Sequence, residues 1–172
     1  MSAGGNLSDL NYDSDLNYKG YFDFQEILRF MKKWMEDRDL SFYERRVNVK
    51  GDLKGNRYKI KLEGDKRINP YVKWYLIVEI FGFDIDQREV VEKGKKVKKD
   101  YGRLKFIFDG KIILDPDNQW ESSEFMEKLR DKFFHGKVVK WDNDMVWSDE
   151  LYYLMYALKE DFSRYLGMYC LG

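Results

Sequence analysis

Carboxylates two residues apart are the clearest raw material for chemistry in this chain. Among them are Asp84/Asp86, Asp115/Asp117 and Asp142/Asp144. Oxygen ligands at that spacing suit Mg2+ or Ca2+. Asp115-Pro-Asp-Asn118 opens like a calcium loop, but Trp120 stands where such a loop needs glycine and no ligand-bearing stretch follows. Asp142-Asn-Asp144 runs into Met145 and Val146 and fails in the same way. All three pairs fall at expected strand ends or connectors, where Asp and Asn make turns. An acid–base pair could be drawn between His135 and Glu124 or Asp131, but those acids belong to the solvent side of an expected helix. With one His and one Cys (Cys170), a zinc site of Cys and His ligands cannot be assembled in one chain. Gly51-x-x-x-Gly55 lacks the Lys-Ser/Thr of a phosphate loop, and neither a dinucleotide fingerprint nor a nucleophile elbow is present. The expectation is no catalytic residue, no metal, no cofactor and no enzyme activity.

Charge is the more informative property. The 31 basic residues balance the 31 acidic ones, which argues against a dedicated nucleic-acid binder, where a basic excess is expected. Locally the balance breaks. Residues 45–67 carry nine Lys/Arg against Asp52, Glu63 and Asp65, net +6, and residues 93–105 carry seven against Asp100, also +6. Residues 142–161 carry six acids against Lys159, net −5. Arg57, Lys59, Lys61, Lys95, Lys96, Lys98 and Lys99 are thus candidates for holding a phosphate backbone, with Tyr43, Tyr58 or Tyr101 to stack bases. The plainer reading is a set of edge lysines that keep sheets from pairing with one another.

A second candidate surface lies in the C-terminal helix predicted over 149–166, with Ser148 as cap and Gly167 as stop. Leu151, Leu154, Met155, Leu158, Phe162, Tyr165 and Leu166 form its apolar stripe, and Tyr152, Tyr153 and Tyr156 surround the rest. A helix apolar nearly all round is buried on more than one side. Tyr152, Tyr153, Tyr156, Tyr165, Tyr169 and Leu171 are therefore candidate contacts for a protein partner or a second copy, unless this is simply a third core helix.

The positioning elements follow from periodicity. Residues 71–83 read as one long strand whose two faces are both apolar: Val72, Trp74, Leu76, Val78 and Ile80 on one, Tyr71, Tyr75, Ile77, Phe81 and Phe83 on the other. That places it mid-sheet with something packed over each face. A helix is predicted over 24–38, capped by Asp23, with Phe24, Ile27, Leu28, Met31, Trp34 and Met35 as its stripe. Strands are expected at 42–49 and 57–63, and a hairpin at 87–92 and 96–99 around Lys93-Gly94-Lys95. Leu104, Phe106 and Phe108 alternate in a further strand, which Asp109-Gly110 either turns or kinks. A second helix is expected over 123–134, with stripe Phe125, Met126, Leu129 and Phe133. The longest apolar run, Leu151–Leu158, has eight residues, short of the roughly 20 that span a bilayer.

Between residues 70 and 134 several strings carry a resemblance: Tyr71-Val72-Lys73, Arg88-Glu-Val-Val-Glu-Lys-Gly-Lys-Lys-Val97, Gly102-Arg-Leu104 and Trp120-Glu-Ser-Ser-Glu-Phe-Met-Glu-Lys-Leu-Arg-Asp131. Over roughly 22–135 the chain resembles a family of small uncharacterised archaeal proteins. The resemblance implies an archaeal source and an intracellular site and carries no activity or binding residue; the location expected is cytoplasmic.

The fold expected is α+β: a mainly antiparallel sheet of five or six strands, with an N-terminal helix and two C-terminal helices packed on it. Residues 1–19 are expected as a mobile acidic arm, 20–136 as the core domain, and 137–172 as a connector and C-terminal helical extension. The function expected is that of a non-enzymatic protein-interaction module. The alternatives are an RNA- or polyanion-binding domain using its basic hairpins, or a pocket for an apolar ligand between sheet and helices.

Overall fold

A computed structural model describes residues 12–52, 55–69, 72–114 and 148–168. Its centre is the strand expected over 71–83, which here runs on through the strand expected at 87–92 as a single β4 (Val72–Glu92) and is third in a five-stranded sheet. The others are β1 (Tyr12–Phe22), β2 (Ser41–Asp52), β3 (Gly55–Asn69) and β5 (Lys95–Leu114), in spatial order β1-β5-β4-β3-β2. Every neighbouring pair is antiparallel. The class is α+β, as expected.

Between β1 and β2 lies α1 (Phe24–Glu36). Since these strands form opposite edges of the sheet, the β1–α1–β2 connection carries the chain from one edge to the other. Thirteen helical residues span roughly 20 Å, about the width of five strands spaced ~4.8 Å apart. Asp23 starts the helix from an extended backbone, its Oδ1 accepting from the N–H of Gln25 at 2.8 Å. Asp39 ends it in the left-handed region, at φ 60°. The Leu40 N–H then reaches the Met35 carbonyl and the Asp39 N–H that of Glu36, a Schellman closure that buries Leu40 as its apolar contact. The second helix, α2 (Ser148–Tyr165), closes likewise at Gly167, φ 72°, with the Met168 N–H on the Ser163 carbonyl.

Both helices cover one face. Alternation puts Leu76, Val78 and Ile80 of β4 beside Leu104, Phe106 and Phe108 of β5 and Leu62 of β3. They meet Ile27, Met31 and Met35 from α1, and Met155, Leu158 and Phe162 from α2. Phe162 lies edge-on to Phe106 at 4.7 Å between centroids. Val72, Trp74 and Leu151 make a smaller adjoining cluster. Two glycines let the helices close in. A Cβ on Gly64 would lie 2.8 Å from Met35 Sδ, and one on Gly110 would lie 3.3 Å from the Leu151 side chain.

Several expectations change. Residues 12–19, expected in the mobile arm, form edge strand β1 through full pairing with β5. Its Leu16 and Tyr18 sit on the helix side of the sheet, so these scattered apolar residues are strand positions at period two. The first helix therefore follows a strand rather than preceding the sheet. Asp109-Gly110 neither turns nor interrupts β5, because Gly110 lies opposite Leu76 in continuous register. Something was expected on both faces of β4. Among the described residues, helices cover only the Leu76/Val78/Ile80 side, and Tyr75, Ile77 and Phe81 on the other side are half-buried. The helix expected over 123–134 lies outside the described residues, as do Asp115, Asp117, Glu124, Asp131, His135, Asp142, Asp144, Tyr169, Cys170 and Leu171. Among the described residues there are thus two helices, one of them after the sheet, and neither is long and apolar enough to cross a membrane.

Candidate functional site

The seven cations singled out in the sequence separate into two groups. Lys59 faces Phe81 in the β3–β4 register and Lys96 faces Val91. Ten residues of extended β4 between those rows correspond to roughly 30 Å.

The β3 group is occupied. Lys59 pairs with Glu79 at 3.4 Å, and its ammonium lies 5.2 Å from the centre of the Phe81 ring. Lys61 meets Glu63 at 3.0 Å and Arg45 meets the other oxygen of Glu63 at 3.2 Å. Glu63 is only 6% exposed, so these two cations compensate a buried carboxylate. Neutralising either would leave that charge underpaired. Lys73 pairs with Asp65 at 2.6 Å, and this hydrogen bond holds the Lys73 ammonium above the ordinary lysine pKa. Arg57 also has a partner.

The other group lies on a ribbon. β1 stops pairing with β5 at Phe22–Asp100, and β3 stops pairing with β4 at Asn56–Ile85. From Gln87 to Glu92 and from Lys95 to Lys99 the two strands pair with each other and no other strand. About six residues per strand project roughly 20 Å beyond the sheet. Lys93 and Gly94 close the ribbon with φ of 49° and 76°, the positive pair of a type I′ turn, whose twist matches that of the strands. Lys99 ion-pairs with Glu92, which raises its pKa through that hydrogen bond. Lys93, Lys95, Lys96 and Lys98 have no ion pair among the described residues. Residues 90–99 sum to +4, five lysines against Glu92.

At the ribbon's base β4 carries a bulge between Phe83 and Asp86, with Asp84 at φ 53°. The extra residue changes the parity of the strand. Up to Gly82 the even positions face the helices, whereas beyond the bulge Ile85 does, buried against Gly82 and Gly102. A cleft of about 280 Å³ opens there, lined by Lys19, Asp84, Asp86, Arg88, Tyr101 and Arg103 among others. Its cations are partly satisfied. Arg88 bonds Asp86 at 3.1 Å and lies 3.8 Å above the Tyr101 ring, and Arg103 Nε bonds Asp84 at 3.1 Å. Asp84/Asp86, one of the candidate carboxylate pairs, is therefore held in arginine pairs at a bulge. Among the described residues no group of three His, Cys, Asp or Glu is placed to hold a metal ion.

The aromatic candidates also separate. Tyr58 packs edge-on against Phe24 at 5.4 Å, within the helix-side core, and Tyr101 has Arg88 over its ring and Tyr21 edge-on to it. Tyr43 is half exposed. On α2, Leu151, Met155, Leu158 and Phe162 turn inward. Tyr165 stacks on Phe30 at 4.6 Å, whereas Tyr153 (68% exposed) and Tyr156 (56%) point outward beside Tyr152. Sequence reasoning grouped all these cations by charge density. It missed that Glu63, on β3 itself, and Glu79, on the neighbouring β4, would consume them. The signal was the one-residue alternation Lys61-x-Glu63, which puts both side chains on one face. No family model, curated protein or solved structure compared with this chain matches it.

Proposed function

We propose that this chain acts by binding rather than catalysis, and that the β4–β5 ribbon is where it takes hold of a polyanion. The observation that carries the reading is the contrast between the two basic segments. Cations on the sheet sit on carboxylates, whereas Lys93, Lys95, Lys96 and Lys98 project on an exposed hairpin with no ion pair among the described residues. Unpaired lysines on an arm are available for phosphates, and each contact releases counterions. Four such contacts give a log–log salt slope of about −3.6, so affinity falls ~150-fold between about 50 and 200 mM salt. The test is retention on heparin and binding of a labelled nucleic-acid pool as salt is raised. Replacing Lys93, Lys95, Lys96 and Lys98 with Ala should abolish both while leaving the circular dichroism spectrum unchanged. Binding that survives the replacement removes the ribbon from the reading.

A second reading rests on α2. Tyr153 and Tyr156 are large rings turned outward from a helix whose inner face is already buried, and tyrosine is a favoured interface residue. A protein partner or second copy seated there should be lost on Tyr153→Ser/Tyr156→Ser, read by sedimentation velocity with and without lysate-purified partner. An unchanged assembly state would leave α2 as a core helix with a wet outer face.

A further inference from the structure

We infer that the polyanion is B-form duplex DNA and that the ribbon enters its major groove; this rests on the polyanion reading above. Three features of the ribbon select among nucleic acids.

The first is its cross-section. Two paired strands lie ~4.8 Å apart, and with side chains they match a groove about 12 Å wide that admits a two-stranded ribbon. The major groove of A-form RNA is deep and too narrow for this.

The second is the distribution of charge around the ribbon. Beyond the bulge, alternation assigns Glu89, Val91, Lys96 and Lys98 to the helix-side face and Glu92, Lys95, Val97 and Lys99 to the other, so each face keeps more lysines than acids. Lys93 sits in the turn. Cations on both faces suit a ribbon flanked by two phosphate backbones, as within a groove. An arm lying along one strand from outside would need them on one face.

The third is what the ribbon lacks and what it shows. Single-stranded nucleic acid is held by bases stacking on aromatic rings. From Gln87 to Asp100 the ribbon has none, and Tyr101 at its base already carries Arg88 over its ring, with Tyr21 edge-on to it. It presents valines instead: Val91 is 70% exposed and Val97 38%. Short branched apolar side chains fit the thymine methyl, which protrudes into the major groove.

The experiment is fluorescence anisotropy of the full chain with three labelled probes of one sequence: a DNA duplex of roughly two turns, the matching RNA duplex, and the DNA single strand. Dimethyl sulfate methylation of guanine N7, an atom in the major groove, is read on the DNA duplex. The expected result is DNA-duplex binding about tenfold or more tighter than either other probe, with guanine N7 protected, and both effects lost in the Lys93/Lys95/Lys96/Lys98→Ala variant. Equal or tighter binding of RNA or single strand overturns the groove assignment and leaves the polyanion reading standing. Duplex binding without N7 protection overturns it too, because the ribbon then lies outside the groove. No binding to any probe or to heparin at about 50 mM salt removes the polyanion reading itself, and this inference with it.

Discussion

Replacing Asp161 with Ala should cost the fold about 2 kcal/mol. Asp161 Oδ2 accepts from Trp34 Nε1 at 2.9 Å and lies 3.5 Å from Arg38 Nη2. It thereby ties α2 to α1. Trp34 is 5% exposed, so losing the acceptor strands an indole N–H where water reaches it poorly. Stranding a buried donor costs about 1–3 kcal/mol. Asp161 itself is more than a third exposed, so water enters from its side and about 1.5 kcal/mol is the fitting value within that range. The Arg38 pair is equally exposed and adds only ~0.3 kcal/mol; Arg38 keeps its place 3.7 Å over the Trp34 ring. Asp161→Asn retains a carbonyl acceptor and should cost about half as much, roughly 1 kcal/mol. Trp34→Phe removes the donor. In the cycle of Asp161→Ala with Trp34→Phe, the two losses should therefore fall short of additivity by about 1–1.5 kcal/mol. The assay is urea unfolding followed by far-ultraviolet circular dichroism, with unchanged m and, for Asp161→Ala, a Tm lower by roughly 4–8 °C. A cost below ~0.5 kcal/mol for Asp161→Ala, or strict additivity in the cycle, would refute the claim that this hydrogen bond docks α2.

Gly64→Ala should destabilise by about 1–3 kcal/mol through overpacking, because its Cβ would meet Met35 Sδ at 2.8 Å; combining it with Met35→Ala should cost less than the sum in chemical denaturation. Gly94→Ala meets no atom within 4 Å, so its cost is the left-handed backbone alone, about 1–2 kcal/mol. Amide exchange should speed up within 87–99 and stay unchanged in β1. Burial holds the Tyr18 and Tyr165 phenols above their ordinary pKa, and hydrogen bonds to Asp65 and Glu92 do the same for the Lys73 and Lys99 ammonium groups. In all four the folded chain keeps its proton to higher pH than the unfolded one. That contribution is complete below the unfolded values, about 10, and is lost as pH climbs through the folded ones. Thermal stability should therefore fall above about pH 10, and the Tyr18→Phe/Tyr165→Phe variant should fall less steeply; an equal fall in both would discount the tyrosines.

The helices, the hairpin turn and the central strand were legible because each rests on local chemistry. Asp23 as a cap, a hairpin around Lys93-Gly94-Lys95, and Ile27, Met31, Trp34 and Met35 as one stripe need nothing beyond neighbouring residues. Strand β1 was not legible, because its polar Asp, Asn and Ser positions alternate with only two buried apolar ones among the side chains described, Leu16 and Phe22. Pairing with β5, some ninety residues on in sequence by register, is what makes it a strand. The bulge at Asp84 was hidden for a related reason. Phe83-Asp-Ile-Asp86 reads as plain alternation, and only the contacts of Ile85 with Gly82 and Gly102 show that the parity has changed. Of the candidate site, the lysines were visible and their partners were not, since Glu79 reaches Lys59 across strands.

This last point changes what the zero net charge means. A balanced chain lacks the basic excess of a dedicated nucleic-acid binder, yet balance is a sum and binding is local. On the sheet, carboxylates and cations alternate across strands and neutralise one another at close range: Arg45 and Lys61 on Glu63, Lys59 on Glu79, Lys73 on Asp65. The ribbon concentrates +4 within ten residues and reaches beyond a body that carries the balancing −4. A body of net −4 gives no attractive long-range steering toward a polyanion, so association should be slower than for strongly basic proteins. The attraction acts within about a Debye length, ~8 Å at physiological salt, once the arm is near a phosphate. The arm therefore supplies affinity on contact and little recruitment from a distance. Raising salt should act chiefly on the dissociation rate, an outcome that stopped-flow measurement with the duplex probe can separate from an effect on the association rate.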